Sequence, residues 1–150
     1  MFARTARRDF GTECPGTVVV AREIPRTAVK NNPLHVLVVD DEPLIRWSVT
    51  ETLADLGLDV EQADSAATTL QAITTAALPF DVIVLDLRLP DMNDLSLLAT
   101  IRQLVPETPV VLMTAFGTPE LLAQARQLGV LGVLNKPFEL ADLGRMVMRA

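Results

Sequence analysis

From residue 34 onward, short apolar runs alternate with segments in which apolar residues recur every three or four positions. Continuous apolar runs predict strands buried on both faces, and the longer period predicts helices with one buried face. The second run contains more polar residues and predicts an edge strand. The predicted strands cover 34–39, 58–63, 80–86, 108–115 and 129–135, and the predicted helices cover 43–57, 66–76, 94–105, 119–128 and 139–148.

The ends and inner faces of several helices are marked in the sequence. Pro43 suits a first helical turn, and Gly57 suits the position after a helix. Ser65 and Thr118 are expected to cap the helices that follow them, and Pro119 suits a first helical position. The residues predicted to face inward are Ile45, Val49, Leu53 and Leu56 in the first helix, Leu97, Leu98, Ile101, Leu104 and Val105 in the third, and Leu140, Leu143 and Val147 in the last.

Five strands that alternate with five helices predict an α/β fold with a parallel sheet covered by helices on both faces. Right-handed crossover connections then give a doubly wound domain of three layers. A strand order of 2-1-3-4-5 makes strands one and three neighbours at the point where the winding direction changes. Ligands of such sheets bind beyond the carboxyl ends of the strands, so candidate chemistry is expected at that edge.

Residues 1–33 differ in composition from the rest of the chain. They contain three prolines, show no sustained hydrophobic period, and carry six basic and three acidic residues, a net charge of +3. The formal net charge of the whole chain is −6, so residues 34–150 carry −9. We expect residues 1–33 to be a disordered leader and residues 34–150 to form one folded domain. A misplaced start codon and a functional arm are both open as origins of the leader.

The composition also restricts compartment and partners. Hydrophobic residues make up 49% of the chain, but no apolar run reaches the roughly 18 residues needed to span a bilayer, and no signal peptide is visible. We therefore expect a cytoplasmic protein without a membrane partner, although Arg-rich starts also occur in organelle transit peptides. The single Cys14 excludes an internal disulfide, and no Cys/His cluster indicates zinc. The acidic net charge argues against direct nucleic-acid binding.

Polar residues interrupt the apolar pattern where four of the predicted strands end. Three carboxylates in one crevice form a hard-oxygen site suited to Mg²⁺, and the ion and a lysine together would neutralise them. A carboxylate beside Mg²⁺ can attack phosphorus and form an aspartyl phosphate, whose oxygens a lysine, a hydroxyl and backbone N–H groups would stabilise. The residues at these strand ends are Asp40 and Asp41 in strand one, Asp86 in strand three, Thr114 in strand four and Lys136 in strand five.

Four motifs occur in order at these strand ends: VLVVDDEP, DVIVLDLRLPDM, VVLMTAFGTPE and NKPF. Together they resemble the receiver domain of two-component response regulators over about residues 34–150. The resemblance implies a flavodoxin-like fold and a signalling module rather than an enzyme. Its only catalysis would be its own phosphotransfer and slow autodephosphorylation.

The resemblance extends to two kinds of receiver. One is the single-domain regulator of the chemotaxis type. The other is the receiver of the nitrogen-regulation class of enhancer-binding activators, to which the segments RWSV and TAFGTPE are most similar. No ATPase or DNA-binding segment follows Ala150 in this sequence, so the output function of those activators is not expected from the residues present.

The resemblance implies a metal site at the same sheet edge. Asp41 and Asp86 would bind Mg²⁺ directly, and Asp40 would bind it through water. The backbone carbonyl of Arg88 would complete the protein ligands. A cis peptide bond between Lys136 and Pro137 is also implied.

The resemblance also implies a transfer reaction and its partners. Asp86 would be the phosphoacceptor, Lys136 would contact the phosphoryl group, and Thr114 would move toward it. The phosphodonor would be a phosphohistidine on a sensor histidine kinase or a phosphotransfer protein. The output partner is not identified by the sequence, and a phosphorylation-dependent homodimer stays open.

Two positions depart from the family pattern. Asp94 stands where a glycine usually follows the proline loop, and Asp tolerates left-handed backbone better than most residues. Val133 stands where an aromatic residue usually precedes the lysine by three positions. Because that ring is missing, we expect the signal to pass through TAFGTPE, where Gly117 gives flexibility and Phe116 is the nearest large side chain.

Two rival functions compete with a signalling switch. A hydrolase of the haloacid dehalogenase type would need two aspartates separated by one residue on the first strand, whereas Asp40 and Asp41 are adjacent. A degenerate interaction domain would not need the full set of strand-end residues. Outside the site, His35 is expected to be structural, and Phe116 and Phe138 are expected to be packing residues.

Overall fold

The computed structural model describes residues 33–150. The prediction of a disordered leader over 1–33 therefore lies outside the described residues, apart from Pro33. Within 33–150, each predicted strand and helix is present, and each is one to three residues shorter than predicted. The elements are β1 His35–Val39, α1 Pro43–Asp55, β2 Asp59–Ala63, α2 Ala66–Thr75, β3 Val82–Asp86, α3 Ser96–Leu104, β4 Val110–Thr114, α4 Pro119–Gln127, β5 Gly132–Asn135 and α5 Leu140–Met148.

The sheet of this part of the chain is parallel and has the strand order β2-β1-β3-β4-β5, as predicted. The register aligns Val39 of β1 with Leu85 of β3, so Asp40 and Asp86 reach the sheet edge at the same level. On the other side, Thr114 of β4 pairs with Asn135 of β5. The doubly wound topology therefore brings the ends of four strands to one edge.

The two faces of the sheet form separate apolar layers because successive strand residues point to opposite sides. One face, with Leu37, Ile83 and Leu112, packs against α2, α3 and α4. The other face, with Val38 and Val84, packs against α1 and α5. Each large apolar side chain that is fully buried stabilises the fold by about 1.5–3 kcal/mol relative to an exposed one.

The helix caps follow the prediction closely. The Ser65 hydroxyl accepts the N–H of Thr68 at 3.1 Å, and the Thr118 hydroxyl accepts the N–H of Leu121 at 3.1 Å. Gly57 follows α1 with a φ of +86°, a conformation that glycine adopts without strain. These caps fix the points at which the chain turns toward and away from the sheet.

Three residues predicted to face inward are exposed instead. Leu56 is 48% exposed and Leu104 is 45% exposed, and both lie at the carboxyl end of a helix. Leu140 is 36% exposed and is the first residue of α5. The predicted stripes are correct in the middle of the helices, and the three errors lie at helix ends. No helix within 33–150 combines the length and the apolar character that a membrane span requires.

Candidate functional site

Three aspartates meet where β1 and β3 end. Asp40 is fully buried, Asp86 is 4% exposed, and Asp41 faces solvent. Each offers a carboxylate oxygen, and the three oxygens lie within 4.8 Å of one another. The fold imposes this proximity because β1 and β3 are neighbours in register, so three negative charges are concentrated at one edge.

A lysine from a different part of the chain forms ion pairs with two of these carboxylates. Lys136 follows β5, and its Nζ lies 2.9 Å from Asp40 Oδ2 and 3.2 Å from Asp86 Oδ2. The Lys136 N–H donates to the carbonyl of Thr114 at 2.8 Å, which aligns the lysine with the end of β4. The peptide bond between Lys136 and Pro137 is cis, as the family resemblance implied.

Two further residues support this cluster and were not predicted. Glu42 Oε1 lies 3.6 Å from Lys136 Nζ, and the Glu42 N–H donates to Asp40 Oδ1 at 2.9 Å. Arg46 in α1 donates from Nη1 to the carbonyl of Asp40 at 2.7 Å and from Nε to Gln62 Oε1 at 3.1 Å. The adjacency of Glu42 to the aspartate pair was a usable signal, whereas the contact of Arg46 depends on how α1 leaves the sheet.

The ionisation of the cluster reflects burial and mutual repulsion. Burial and the neighbouring Asp40 charge raise the pKa of Asp86 from 3.8 to about 6, although Lys136 and the Arg88 N–H act in the opposite direction. Burial alone would lower the pKa of Lys136, but its hydrogen bonds and ion pairs with Asp40 and Asp86 outweigh burial and raise it. The lysine is therefore charged at neutral pH, and one added positive charge would favour the ionised form of Asp86.

The loop after β3 runs beside Asp86 and is tightly organised. The buried Leu87 donates its N–H to the carbonyl of Met113 in β4 at 3.0 Å, and Leu89 and Met92 exchange two backbone hydrogen bonds. Arg88 is exposed, and its N–H donates to Asp86 Oδ1 at 3.3 Å. This placement sets the backbone of Arg88 against the phosphoacceptor candidate.

An aromatic ring lies at the rim of the site. The Arg88 guanidinium stands 5.0 Å from the centroid of the Phe116 ring, within the range of a cation–π contact. Phe116 is 70% exposed, so the prediction that it is a packing residue is wrong. The ring projects from the loop after β4, where it meets no part of the core. Phe138, in contrast, packs against the core layer of α1 and α5, as predicted.

The other predicted polar residue of the edge, Thr114, is almost completely buried. Its hydroxyl oxygen accepts the N–H of Phe116 at 3.2 Å. This bond ties the side chain of Thr114 to the loop that follows it. A movement of the Thr114 hydroxyl would therefore break this hydrogen bond or shift the backbone at Phe116.

The remaining sequence predictions concern His35 and Asp94. His35 is buried at the opposite end of β1, with Nε2 2.8 Å from Glu61 Oε2 and its ring stacked on Phe80 at 4.3 Å. These contacts support the structural role expected for it. Hydrogen bonds from the Ser96 hydroxyl and, second, from the Ser96 N–H lower the pKa of Asp94. The N–H bond, at 2.9 Å, stabilises the start of α3 without a glycine.

The chemistry of the donor set fits a small, hard divalent cation. Mg²⁺ prefers oxygen ligands and is usually held by one or two carboxylates together with water. Asp41 is exposed on the solvent side of the cluster, while Asp86 and Asp40 form its floor. The same arrangement places a carboxylate of raised pKa next to a lysine, which suits reaction with an anionic phosphoryl donor.

Sequence comparisons give a consistent result. The pattern of the response regulator receiver domain matches residues 36–148. The response regulator protein PilR of Pseudomonas aeruginosa is 38% identical over 114 residues, which cover 76% of this chain and 25% of PilR. The DNA-binding transcriptional regulator NtrC of Escherichia coli is 37% identical over 115 residues, which cover 77% of this chain and 24% of NtrC. The chain thus spans about a quarter of the length of these relatives.

Comparisons of structure agree with this. The chemotaxis response regulator CheY4 of Vibrio cholerae has a TM-score of 0.71 and 32% identity, covering 79% of this chain and 98% of that one. A CheY-like receiver domain protein from Methanospirillum hungatei has a TM-score of 0.73 and 26% identity, covering 79% of this chain and 93% of that one.

The raised pKa of Asp86 generates a prediction about stability. The folded-state pKa of Asp86 is about 6 rather than 3.8, so folding favours the protonated carboxyl group. Ionisation of Asp86 therefore lowers the free energy of unfolding above about pH 6. We expect Asp86→Asn to raise the free energy of unfolding of the metal-free protein by about 1–3 kcal/mol near pH 8. The gain should shrink as pH falls through about 6. Urea unfolding at several pH values measures it.

A matched control is Asp94→Asn, which removes an exposed carboxylate whose pKa is lowered by its bond to Ser96. This variant should gain no stability near pH 8, because the ionised form of Asp94 is the favourable one. If Asp86→Asn were less stable than wild type at that pH, the repulsive character of the cluster would be disproved.

Proposed function

The chain belongs to the receiver domain family of two-component response regulators, and we propose that it is a switch phosphorylated on Asp86. The observation that supports this most directly is the convergence of Asp40, Asp41, Asp86 and Lys136 at one sheet edge. The aspartate pair, Asp86 and Lys136 lie far apart along the chain, and the strand order brings them together. Phosphorylation would then change the surface that the domain offers to its output partner.

In the proposed reaction, an oxygen of Asp86 attacks the phosphorus of a phosphohistidine. The new O–P bond replaces the N–P bond, and the released imidazole takes a proton from solvent. Lys136 already lies 3.2 Å from Asp86 Oδ2, close enough to pair with a phosphoryl oxygen once the group is transferred. Thr114 supplies a hydroxyl that would move toward the same group. Hydrolysis of the product by water would be slow and would reset the switch.

Asp41 and Asp86 would hold the metal directly, and Asp40 would hold it through water. The backbone carbonyl of Arg88 would be the remaining protein ligand, and the bond from the Arg88 N–H to Asp86 places that backbone next to the cluster. A bound Mg²⁺ would neutralise the carboxylates and the incoming phosphoryl oxygens. The clustered carboxylate oxygens support this assignment.

The geometry disfavours the rival hydrolase. A hydrolase of that type would need two aspartates separated by one residue after the first strand, whereas Asp40 and Asp41 are adjacent, and Asp40 is fully buried. Asp86 has a raised pKa and lies beside the lysine, which favours it as the acceptor. A degenerate module is disfavoured as well, since the full set of strand-end residues is retained and mutually oriented.

The partners of this chain are also part of the proposal. The phosphodonor would be a sensor histidine kinase or a phosphotransfer protein, and the protein would be cytoplasmic. PilR is named a response regulator and NtrC a DNA-binding transcriptional regulator, but each is about four times as long as the matched region. Their output activities are therefore not transferred to residues 33–150. A second copy of the chain is a further candidate partner, as a homodimer that forms on phosphorylation.

We further propose that the signal leaves through the loop after β4. Val133 is β-branched with a single side-chain torsion, so it cannot replace the movement of a large ring. Gly117 is closely packed, because a Cβ at that position would lie 3.1 Å from Thr114 Cγ2 and 3.0 Å from Leu122 Cδ2 in α4. A shift of Thr114 toward a phosphoryl group would therefore act directly on Gly117 and the first turns of α4.

The phosphorylation proposal predicts the result of a mass measurement. Incubation of the full chain with acetyl phosphate and Mg²⁺ should add one phosphoryl group, seen by intact mass. Asp86→Asn should abolish the adduct, because the amide is nearly isosteric but a poor nucleophile. Removal of Mg²⁺ with a chelator should reduce the rate by at least about tenfold. An adduct of unchanged yield in Asp86→Asn would exclude Asp86 as the main acceptor, and rapid turnover of many phosphate esters would favour the hydrolase.

The readout proposal predicts where the amide spectrum changes. With beryllofluoride and Mg²⁺, the largest amide shifts away from the site should fall in residues 115–121. They should persist in Val133→Ala and vanish in Thr114→Ala. Shifts confined to β5, with residues 115–121 unchanged, would contradict the proposal.

A further inference from the structure

Asp91 makes a contact that the proposed reaction does not use. It lies in the loop between β3 and α3, and its carboxylate accepts two backbone N–H groups at the start of α2. Oδ1 accepts the N–H of Ala66 at 2.8 Å, and Oδ2 accepts that of Ala67 at 3.0 Å. These bonds lower the pKa of Asp91, so the carboxylate is ionised at neutral pH. The contact joins segments that are about 25 residues apart in the chain.

The first turn of α2 needs this carboxylate for its hydrogen-bond balance. The first N–H groups of a helix have no partners within the helix. The capping box satisfies two of them, as Ser65 Oγ accepts the N–H of Thr68 and Thr68 Oγ1 accepts that of Ser65. The next two, on Ala66 and Ala67, are satisfied by Asp91. A helix cap that could have been local is thus supplied by the loop that borders the functional site.

The consequence for that loop is that it is held at both ends. Leu87 is anchored to β4 by its bond to Met113, and Asp91 is anchored to α2. Arg88 lies between the two anchors, with its N–H on Asp86. Loss of the Asp91 contact would leave this backbone held by the Leu87 bond to Met113, by the burial of Leu89 and by the bonds within the loop between Leu89 and Met92, without its tie to α2.

We propose that Asp91 is a positioning residue that holds the backbone of Arg88 at the metal and phosphoryl site by clamping the loop onto α2. This inference rests on the proposed function, because it assigns Arg88 to the metal site. The positioning acts through the loop, and Asp91 itself contacts neither metal nor phosphoryl group. Outer-shell contacts of this kind orient the groups that bind a metal and influence its affinity.

The test compares Asp91→Ala with Ser65→Ala in the full chain. Both variants remove a cap from the first turn of α2, but only Asp91→Ala frees the loop. Mg²⁺ binding is measured by titration calorimetry, and the Arg88 amide is followed by hydrogen exchange in the absence of metal. We expect Asp91→Ala to raise the Mg²⁺ dissociation constant about fivefold and to speed exchange at Arg88, while Ser65→Ala changes neither more than about twofold. Asp91→Asn, which keeps one oxygen acceptor, should give an intermediate dissociation constant.

The outcomes distinguish failure of the positioning role of Asp91 from failure of the proposed function. If wild-type protein binds Mg²⁺ and both Asp91 variants bind it equally well, with unchanged exchange at Arg88, the positioning role is disproved and the proposed function stands. If Ser65→Ala weakens Mg²⁺ as much as Asp91→Ala does, the effect belongs to α2 stability and the inference is also disproved. Wild-type protein that fails to bind Mg²⁺ would overturn the proposed function and this inference together.

Discussion

The ion cluster of Lys136 with Asp40 and Asp86 is the contact on which the rest of the site depends. Two carboxylates that are almost fully removed from water share one ammonium group, at 2.9 and 3.2 Å. Burial of charge costs several kcal/mol per ion unless opposite charge and hydrogen bonds compensate it. One lysine cannot balance Asp40, Asp41 and Asp86, so the cluster retains negative charge. That residual charge makes the edge receptive to a divalent cation.

The fold produces this imbalance through its topology. The change of winding direction makes β1 and β3 neighbours, so their terminal aspartates cannot avoid one another. Lys136 follows β5, which is separated from β3 by β4, so its side chain contacts the aspartates from beyond the neighbouring strand. The apolar layers on both faces keep the strands in register and so hold the carboxylates in place. We infer that the repulsion at this sheet edge lowers the stability of the fold and leaves a site that could hold a divalent cation.

The sequence was informative wherever burial or capping is local. Continuous apolar runs marked the strands, and the polar residues that ended them marked Asp40, Asp86 and Lys136. Prediction was less successful where a residue's environment depends on distant elements. Leu140 has the helical spacing of an inward-facing residue, but it is the first residue of α5 and is 36% exposed. Phe116 is aromatic and was assigned to packing, yet its loop faces away from both core layers.

Contacts between loops and helices were also invisible to sequence patterns. Asp91 caps α2 from another loop, and Arg46 reaches back to the carbonyl of Asp40 from α1. Neither contact follows a characteristic spacing of residues along the chain, because each depends on how two elements pack at the sheet edge. Local patterns therefore predicted the charged groups of the site, while the structure was needed to show what positions them.

The most direct test of the central claim is the unfolding free energy of Lys136→Met near pH 8, with and without Mg²⁺. Removing one partner of a buried ion pair leaves uncompensated charge and typically costs about 3–5 kcal/mol. We expect a loss of that size in metal-free buffer. Saturating Mg²⁺ should stabilise the variant more than the wild type, because the ion supplies the missing charge. A variant as stable as the wild type, with no greater response to Mg²⁺, would contradict the central role of the ion cluster.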